Sequence, residues 1–180
     1  MPESPPLTTE IHIQHALPND PDVDALDSGN AEVDRYFHSR TWFDVGKGKA
    51  SPATYQFRTR PGGAVVGYAA AAFRNQAHPT DDGGVRARYL VIYALGVHRH
   101  FQGVENPAAP GQRYAATIMD ALVERARDRA GCVGVSLWVR EDNPRAIAFY
   151  ARCGFVADPA GPVARDDGPR HLTMRLPIPR

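Results

Sequence analysis

A strand that runs into a glycine-containing loop and then a helix is the first place in this chain where residue types and spacing could do chemistry. The residues are Gly111-Gln112-Arg113-Tyr114-Ala115-Ala116. The first turn of a helix carries unpaired N–H groups at the positive end of its dipole, so the joint suits a pyrophosphate. Small residues at 115 and 116 let the backbone approach a ligand. Such a joint is also a common structural element. A second place is Asn143-Pro144-Arg145-Ala146-Ile147-Ala148-Phe149-Tyr150-Ala151-Arg152-Cys153-Gly154-Phe155. There Asn143 reads as an N-cap, Pro144 as the first helical residue and Gly154 as the stop. The seven histidines (His12, His15, His38, His78, His98, His100, His171) show no metal-ligand spacing, so no metal is expected. Cys132 and Cys153 lie in apolar surroundings and read as reduced thiols without a base beside them, which argues against covalent catalysis.

These residues need elements to hold them. Glu10–Leu17 alternates as a first strand, and a polar, Pro-containing loop follows at Asp20–Asp27. A helix is expected over about Asn30–Arg40, capped by Ser28 or Asn30, with Val33, Tyr36 and Phe37 as its apolar stripe. Ala53–Thr59 and Ala64–Phe73 read as a hairpin around Arg60-Pro61-Gly62-Gly63. Residues 75–84 read as a polar loop. Arg88–Val97 is almost wholly apolar and reads as a central strand buried on both faces. A second helix is expected over about Tyr114–Ala130, with Gly131 as its stop. Cys132–Val139 alternates as a strand, and Phe155–Ala157 and His171–Ile178 read as two last strands around a Pro/Gly/Asp loop. The order β, α, β, β, β, α, β, α, β, β implies a mixed sheet with helices on both faces.

The chain has 180 residues and 43% hydrophobic composition, which fits one domain over residues 1–180 with a loose N-terminus at 1–8. It contains no stretch of about 18 apolar residues and no basic, apolar leader, so a cytoplasmic protein without a membrane partner is expected. The formal net charge of +1 hides an asymmetry. Residues 1–34 hold eight acids and no Lys or Arg, leaving 21 cations against 12 acids in the remainder. Residues 35–60 hold Arg35, Arg40, Lys47, Lys49, Arg58 and Arg60 against Asp44 alone. A basic surface favours a polyanionic ligand, such as a nucleotide cofactor or RNA; a solvated face with scattered counter-charges is the plainer alternative.

The Asn143–Phe155 segment, with the strand before it, resembles the N-x-x-A-x-x-(F/L)-Y-x-x-x-G-F segment of the GNAT superfamily of acyl-CoA N-acyltransferases. The strand order is also similar over most of the chain. The resemblance implies a mostly antiparallel mixed sheet of about seven strands, splayed where Tyr89–Val97 leaves Val133–Val139, with acetyl-CoA in the gap and no metal. It implies that the main chain of Leu95 and Val97 pairs with the pantetheine arm. The amides of Gln112, Arg113, Tyr114, Ala115 and Ala116 would hold the pyrophosphate, and Asn143 would contact the cofactor. Tyr150 would be the general acid for the departing thiolate, a task that a positioned phenol can perform. The family's (Q/R)-x-x-G-x-(G/A) cradle is interrupted here. Gln102-Gly103 resembles its start and Arg113-Tyr114-Ala115 its end, and Arg113, standing in place of a glycine, could reach phosphate with its side chain.

Some members of that family carry a glutamate base on the central strand. Its place here is Val91, and residues 89–97 hold no acid or His, with Tyr93 the inward titratable group beside Tyr89. That favours an acceptor amine of low pKa or a water relay. Leu26–Phe37, followed by a polar Gly/Lys loop and an aromatic strand, is similar to the toxin branch of the family. That resemblance implies the α-amine of aminoacyl-tRNA as acceptor, a small antitoxin as partner, and Lys47, Lys49 and Arg58 as contacts to the polyanion. A small-molecule, peptide or protein amine as acceptor, and a non-catalytic acyl-CoA-binding protein, are the alternatives. A homodimer through the last strands is left open.

Overall fold

In the computed structural model the chain is described at residues 11–40, 42, 52–77, 86–164 and 168–179. The order of its main elements is β1 (His12–His15), α1 (Ala31–His38), β2 (Ala53–Arg58), β3 (Val65–Ala77), β4 (Arg86–Val97), α2 (Tyr114–Arg127), β5 (Cys132–Arg140), α3 (Pro144–Arg152), β6 (Val156–Ala157), β7 (Val163–Ala164) and β8 (Arg170–Pro177). The strands form one eight-stranded sheet in the order β1-β2-β3-β4-β5-β8-β6, with β7 pairing β8. Every pairing is antiparallel except β4 with β5. The expected mixed, mostly antiparallel α/β architecture is thus what the chain adopts, with one strand more than anticipated.

The differences from the sequence reading have local causes. The β3 strand continues past Phe73 through residues read as a loop, because β4 starts at Arg86 and gives them partners (Ala77↔Arg86). The added strand, β7, lies in the Pro/Gly/Asp loop and is a two-residue pairing to the edge of β8. Asp20–Asp27 contains a 3-10 turn at Pro21–Val23, where the Asp20 carboxylate accepts from the Asp22 N–H at 2.9 Å.

Helices cover both faces. Asn30 caps α1, accepting from Glu32 N–H at 3.0 Å and Val33 N–H at 3.3 Å, a contact worth about 1 kcal/mol. The α1 helix packs Phe37 with Val23, Leu26, Trp42, Tyr68 and Ala70. The α2 helix packs Ile118, Met119, Leu122 and Ala126 on the other face, against Phe57, Leu90, Ile92 and Val135. Each such fully buried large side chain contributes about 1.5–3 kcal/mol relative to exposure. Alternation along β5 sends Val135, Leu137 and Val139 to the α2 face, so Ser136, Trp138 and Arg140 point to the α1 face. The α1 helix comes close to β4 because Gly96 has no side chain: a Cβ there would lie 3.0 Å from Val33 Cγ1 and 3.2 Å from Leu26 Cδ2.

Candidate active site

Two features of β4 open the sheet. Its parallel pairing with β5 ends at Ile92↔Leu137, after which the strands part. Opposite β3 the register skips between Ala70↔Ala94 and Ala71↔Ile92, so Tyr93 is the extra residue of a β-bulge. The bulge puts Tyr93 and Ala94 on one face in succession; Tyr93 is 40% exposed, whereas Val91, in the paired part of β4, is fully buried.

Beyond the bulge the main chain faces the gap. The His98 N–H donates to Val66 O at 2.8 Å, so Gly96 and Ala94, of the same parity, spend their polar groups on β3. Leu95 and Val97 therefore direct theirs toward the side that β5 has left. The Val97 carbonyl there accepts from Gln102 Nε2 at 2.9 Å, and the same amide reaches Ser28 O at 2.7 Å. Gln102 is thus a tie between β4 and the entry to α1, a part that its cradle-like motif did not disclose.

A cavity of about 340 Å³ occupies the gap. On the α2 face it is lined by Ile92, Leu95, Leu137, Val139, Ala146 and Tyr150, and on the α1 face by Val33, Tyr36, Tyr93, Ala94, Trp138 and Arg140, with Asn30, Glu32, Asn143 and His171 completing the lining. Its lining therefore draws on both faces of the sheet.

Tyr150 reaches the cavity through a locally encoded turn. Gly154 has φ +91, a left-handed conformation that favours glycine. With it, Phe155 N–H donates to Tyr150 O at 3.0 Å and Gly154 N–H to Ala151 O at 3.0 Å. This is the Schellman pair that closes a helix, and the Phe155 ring packs 5.8 Å from Tyr150, centroid to centroid. At the other end Asn143 accepts from Ala146 N–H at 3.1 Å as the N-cap, leaving its Nδ2 to the cavity that it lines. Burial pushes the Tyr150 phenol up to about 12, with a smaller contribution from Cys153, so the group holds its proton at neutral pH. Burial, and then Asp120, pushes the Cys153 thiol up to about 11, so it stays protonated too. Both cysteines are free thiols.

The loop before α2 is self-bracing. Asn106 N–H donates to Gln112 O at 2.7 Å, and Tyr114 N–H to Val104 O at 3.1 Å. Gln112 N–H is taken by Ala109 O at 2.9 Å, Ala116 N–H by Arg113 O at 2.9 Å, and Gly111 N–H by the Glu105 carboxylate at 2.9 Å. Of the expected amides at 112–116, those of Arg113 and Ala115 are the ones left open among the described residues. Arg113 is the N-cap position and makes no side-chain cap. The insertion between Gly103 and Gly111 thus folds back on itself and leaves the helix end accessible.

Arg58 is placed elsewhere. Its side chain is 17% exposed, is held by Asp22 at 2.5 Å, and donates to Gly63 O at 2.7 Å and Gln56 Oε1 at 2.7 Å. It is not among the residues that line the cavity and braces β2 against the 3-10 turn. The same holds for the wider charge asymmetry: Asp24 pairs Arg40 at 2.8 Å and Asp27 pairs Arg99 at 2.7 Å. Acids of the N-terminal segment neutralise later arginines. Lys47 and Lys49 lie outside the described residues. Among the described residues no group of three His, Cys, Asp or Glu could hold a metal ion, and no helix is long and apolar enough to cross a membrane.

A splayed β4–β5 pair, an open helix end and a protonated tyrosine over the gap define an acyl-CoA transferase type of site. Residues 22–155 match the model of the acetyltransferase (GNAT) family, and the chain belongs to that family. It is therefore an N-acetyltransferase that takes acetyl from acetyl-CoA. No curated protein matches it in sequence. Among solved structures, a bacterial toxin shares the fold with a TM-score of 0.66 at 18% identity, over 93% of this chain and 90% of that one. A tyrosine-to-phenylalanine mutant of the AtaT toxin, bound to the C-terminus of the antitoxin AtaR and acetyl-CoA, gives 0.57 at 16% identity, over 93% of both chains. A mutant of the spermidine N-acetyltransferase SpeG from Vibrio cholerae gives 0.61 at 12% identity, over 94% of both chains.

Proposed function

We propose that the chain acetylates the α-amine of aminoacyl-tRNA as the toxin of a toxin–antitoxin pair, with a small antitoxin protein as partner. The observation that carries the acceptor reading is that β4 and β5 bring Ile92, Tyr93, Ala94, Leu95, Leu137, Trp138, Val139 and Arg140 to the gap without a carboxylate or an imidazole; the cavity's carboxylate, Glu32 of α1, is paired with Arg140, and its imidazole, His171, comes from β8. An amine must be neutral to attack a thioester. At pH 7.4 a lysine amine of pKa about 10.4 is neutral about one time in a thousand, whereas an α-amine of about 7.7–8.0 is neutral about one time in three to five. A site without a base on its inner strands suits the second. The likeness in fold to an antitoxin-bound toxin supports the same reading.

Acetyl-CoA supplies an activated acetyl thioester. The main chain of Leu95 and Val97 would hold its pantetheine arm, and Asn143 Nδ2 would donate to it. The N–H groups at 112–116, chiefly those of Arg113 and Ala115, would meet the pyrophosphate, with the Arg113 guanidinium beside them. Tyr150 donates its hydrogen bond to the departing sulfur. Full transfer from a phenol of about 12 to an alkyl thiolate of about 8.5 is uphill by about 5 kcal/mol, so the hydrogen bond does most of the stabilising and the amine's proton completes the balance. Lys47 and Lys49 would meet the acceptor's phosphates.

The test is acetyl transfer from acetyl-CoA to bulk aminoacyl-tRNA, read by mass spectrometry of the released amino acids, with Tyr150→Phe beside the native chain. N-acetylated amino acids that vanish in the variant are expected. Acetyl-CoA bound without any such product would overturn the acceptor reading and direct the search to small amines and protein N-termini.

A further inference from the structure

On the α1 face, three rings from three separate elements line the cavity: Tyr36 of α1, Tyr93 of the β4 bulge and Trp138 of β5. Tyr93 and Trp138 meet edge to face with centroids 5.7 Å apart. The Tyr93 hydroxyl accepts from Arg74 Nε at 3.1 Å, which fixes the ring from the β3 side. Tyr36 is half-buried, and its phenol is raised by burial first and by the nearness of Tyr93 second. The charges at this face are already matched. Glu32 lies 3.5 Å from Arg140, and Arg140 holds Asp142 through two hydrogen bonds at 2.9 and 2.6 Å.

We infer that this chamber receives the side chain of the acceptor and selects bulky apolar, above all aromatic, amines. The inference rests on the acceptor entering from the α1 face, and it deepens the proposed function by naming the class of aminoacyl group. An aromatic side chain entering the cavity would meet rings on three sides, and aromatic pairs add to plain burial. A polycationic acceptor finds no spare carboxylate there, because Glu32 is paired with Arg140. A very small side chain leaves the chamber wet and loses the apolar contact. Hydrophobic pockets of this kind discriminate by about 10- to 200-fold.

The test uses the full chain with acetyl-CoA and two panels. The first is bulk aminoacyl-tRNA, scored by mass spectrometry for each amino acid. The second is free amines: phenethylamine, isoamylamine, ethylamine and spermidine. Expected is at least tenfold higher kcat/KM for aromatic and large aliphatic members in whichever panel turns over, with Trp138→Ala reducing that ratio and leaving the KM for acetyl-CoA within about twofold. Tyr93→Leu serves where Trp138→Ala does not fold. Equal turnover of glycyl and phenylalanyl esters, or preference for spermidine, overturns the inference. Turnover of apolar amines alone, with no acetylated aminoacyl-tRNA, keeps the chamber and removes the tRNA reading.

Discussion

Removing the Tyr150 hydroxyl isolates one atom's contribution. The ring's packing against Phe149 (5.2 Å) and Phe155 (5.8 Å) survives in Tyr150→Phe, as does the main-chain Schellman pair. The hydroxyl makes no hydrogen bond among the described residues, so its loss leaves no buried partner stranded, and the melting temperature should stay within about 2 °C. Catalysis should suffer far more. A hydrogen bond to a developing anion in a site shielded from water is worth about 3 kcal/mol, and each 1.36 kcal/mol is tenfold, so the chemical step should slow by about 10²-fold. Single-turnover mixing with preloaded acetyl-CoA measures that step without interference from product release. The KM for acetyl-CoA should change by less than about threefold, because the interaction grows only as charge leaves. A variant that keeps more than a third of the single-turnover rate refutes the assignment. A rate loss that tracks a fall in melting temperature reduces Tyr150 to a packing residue.

The pH profile follows from the same burial. With the phenol raised to about 12, Tyr150 should impose no falling alkaline limb below about pH 11, and the rising limb should belong to the acceptor amine; a fall near pH 9–10 that disappears in Tyr150→Phe would contradict this. Asn143→Asp retains an N-cap acceptor and loses the Nδ2 donor, so acetyl-CoA affinity measured by calorimetry should drop while stability holds, whereas Asn143→Ala should also cost about 1 kcal/mol in urea unfolding. Arg58→Gln should lower stability by about 1–2 kcal/mol through the lost Asp22 and Gly63 contacts and leave kcat/KM per folded molecule unchanged; a selective loss with aminoacyl-tRNA, greater at low salt, would restore it to the acceptor surface. Gly67→Ala would bring a Cβ to 2.2 Å from Gly96 O, so soluble expression should collapse, and a well-folded variant would refute the close approach of β3 to β4.

What was legible in the sequence was what is encoded over a few residues. Asn143, Pro144 and Gly154 fix both ends of α3 by capping alone, and Tyr150 is carried to the gap with them. The apolar alternation of Cys132–Val139 gave β5 its faces, and so Trp138 its side. The charge asymmetry misled because it is a property of the line and not of the surface. Asp22, Asp24 and Asp27 fold onto Arg58, Arg40 and Arg99, at sequence separations that no window reveals. The bulge at Tyr93 was equally hidden, since a bulge exists only relative to the partner strand, and nothing within Arg88–Val97 marks one residue as extra. That one residue resets the faces of the residues that follow it. Alternation from Leu90 and Ile92 already puts Tyr93 on the α1 face; without the extra residue Leu95 and Val97 would join it there instead of packing on the α2 face. The facing of Leu95 and Val97 is therefore a product of register, a long-range quantity, whereas the place of Tyr150, the proposed leaving-group acid, is a product of capping, a local one. Substitutions that shift the register between Ala70 and Ala71 should for that reason weaken acetyl-CoA binding, measured by calorimetry, while leaving the α3 side, with Asn143 and Tyr150, intact.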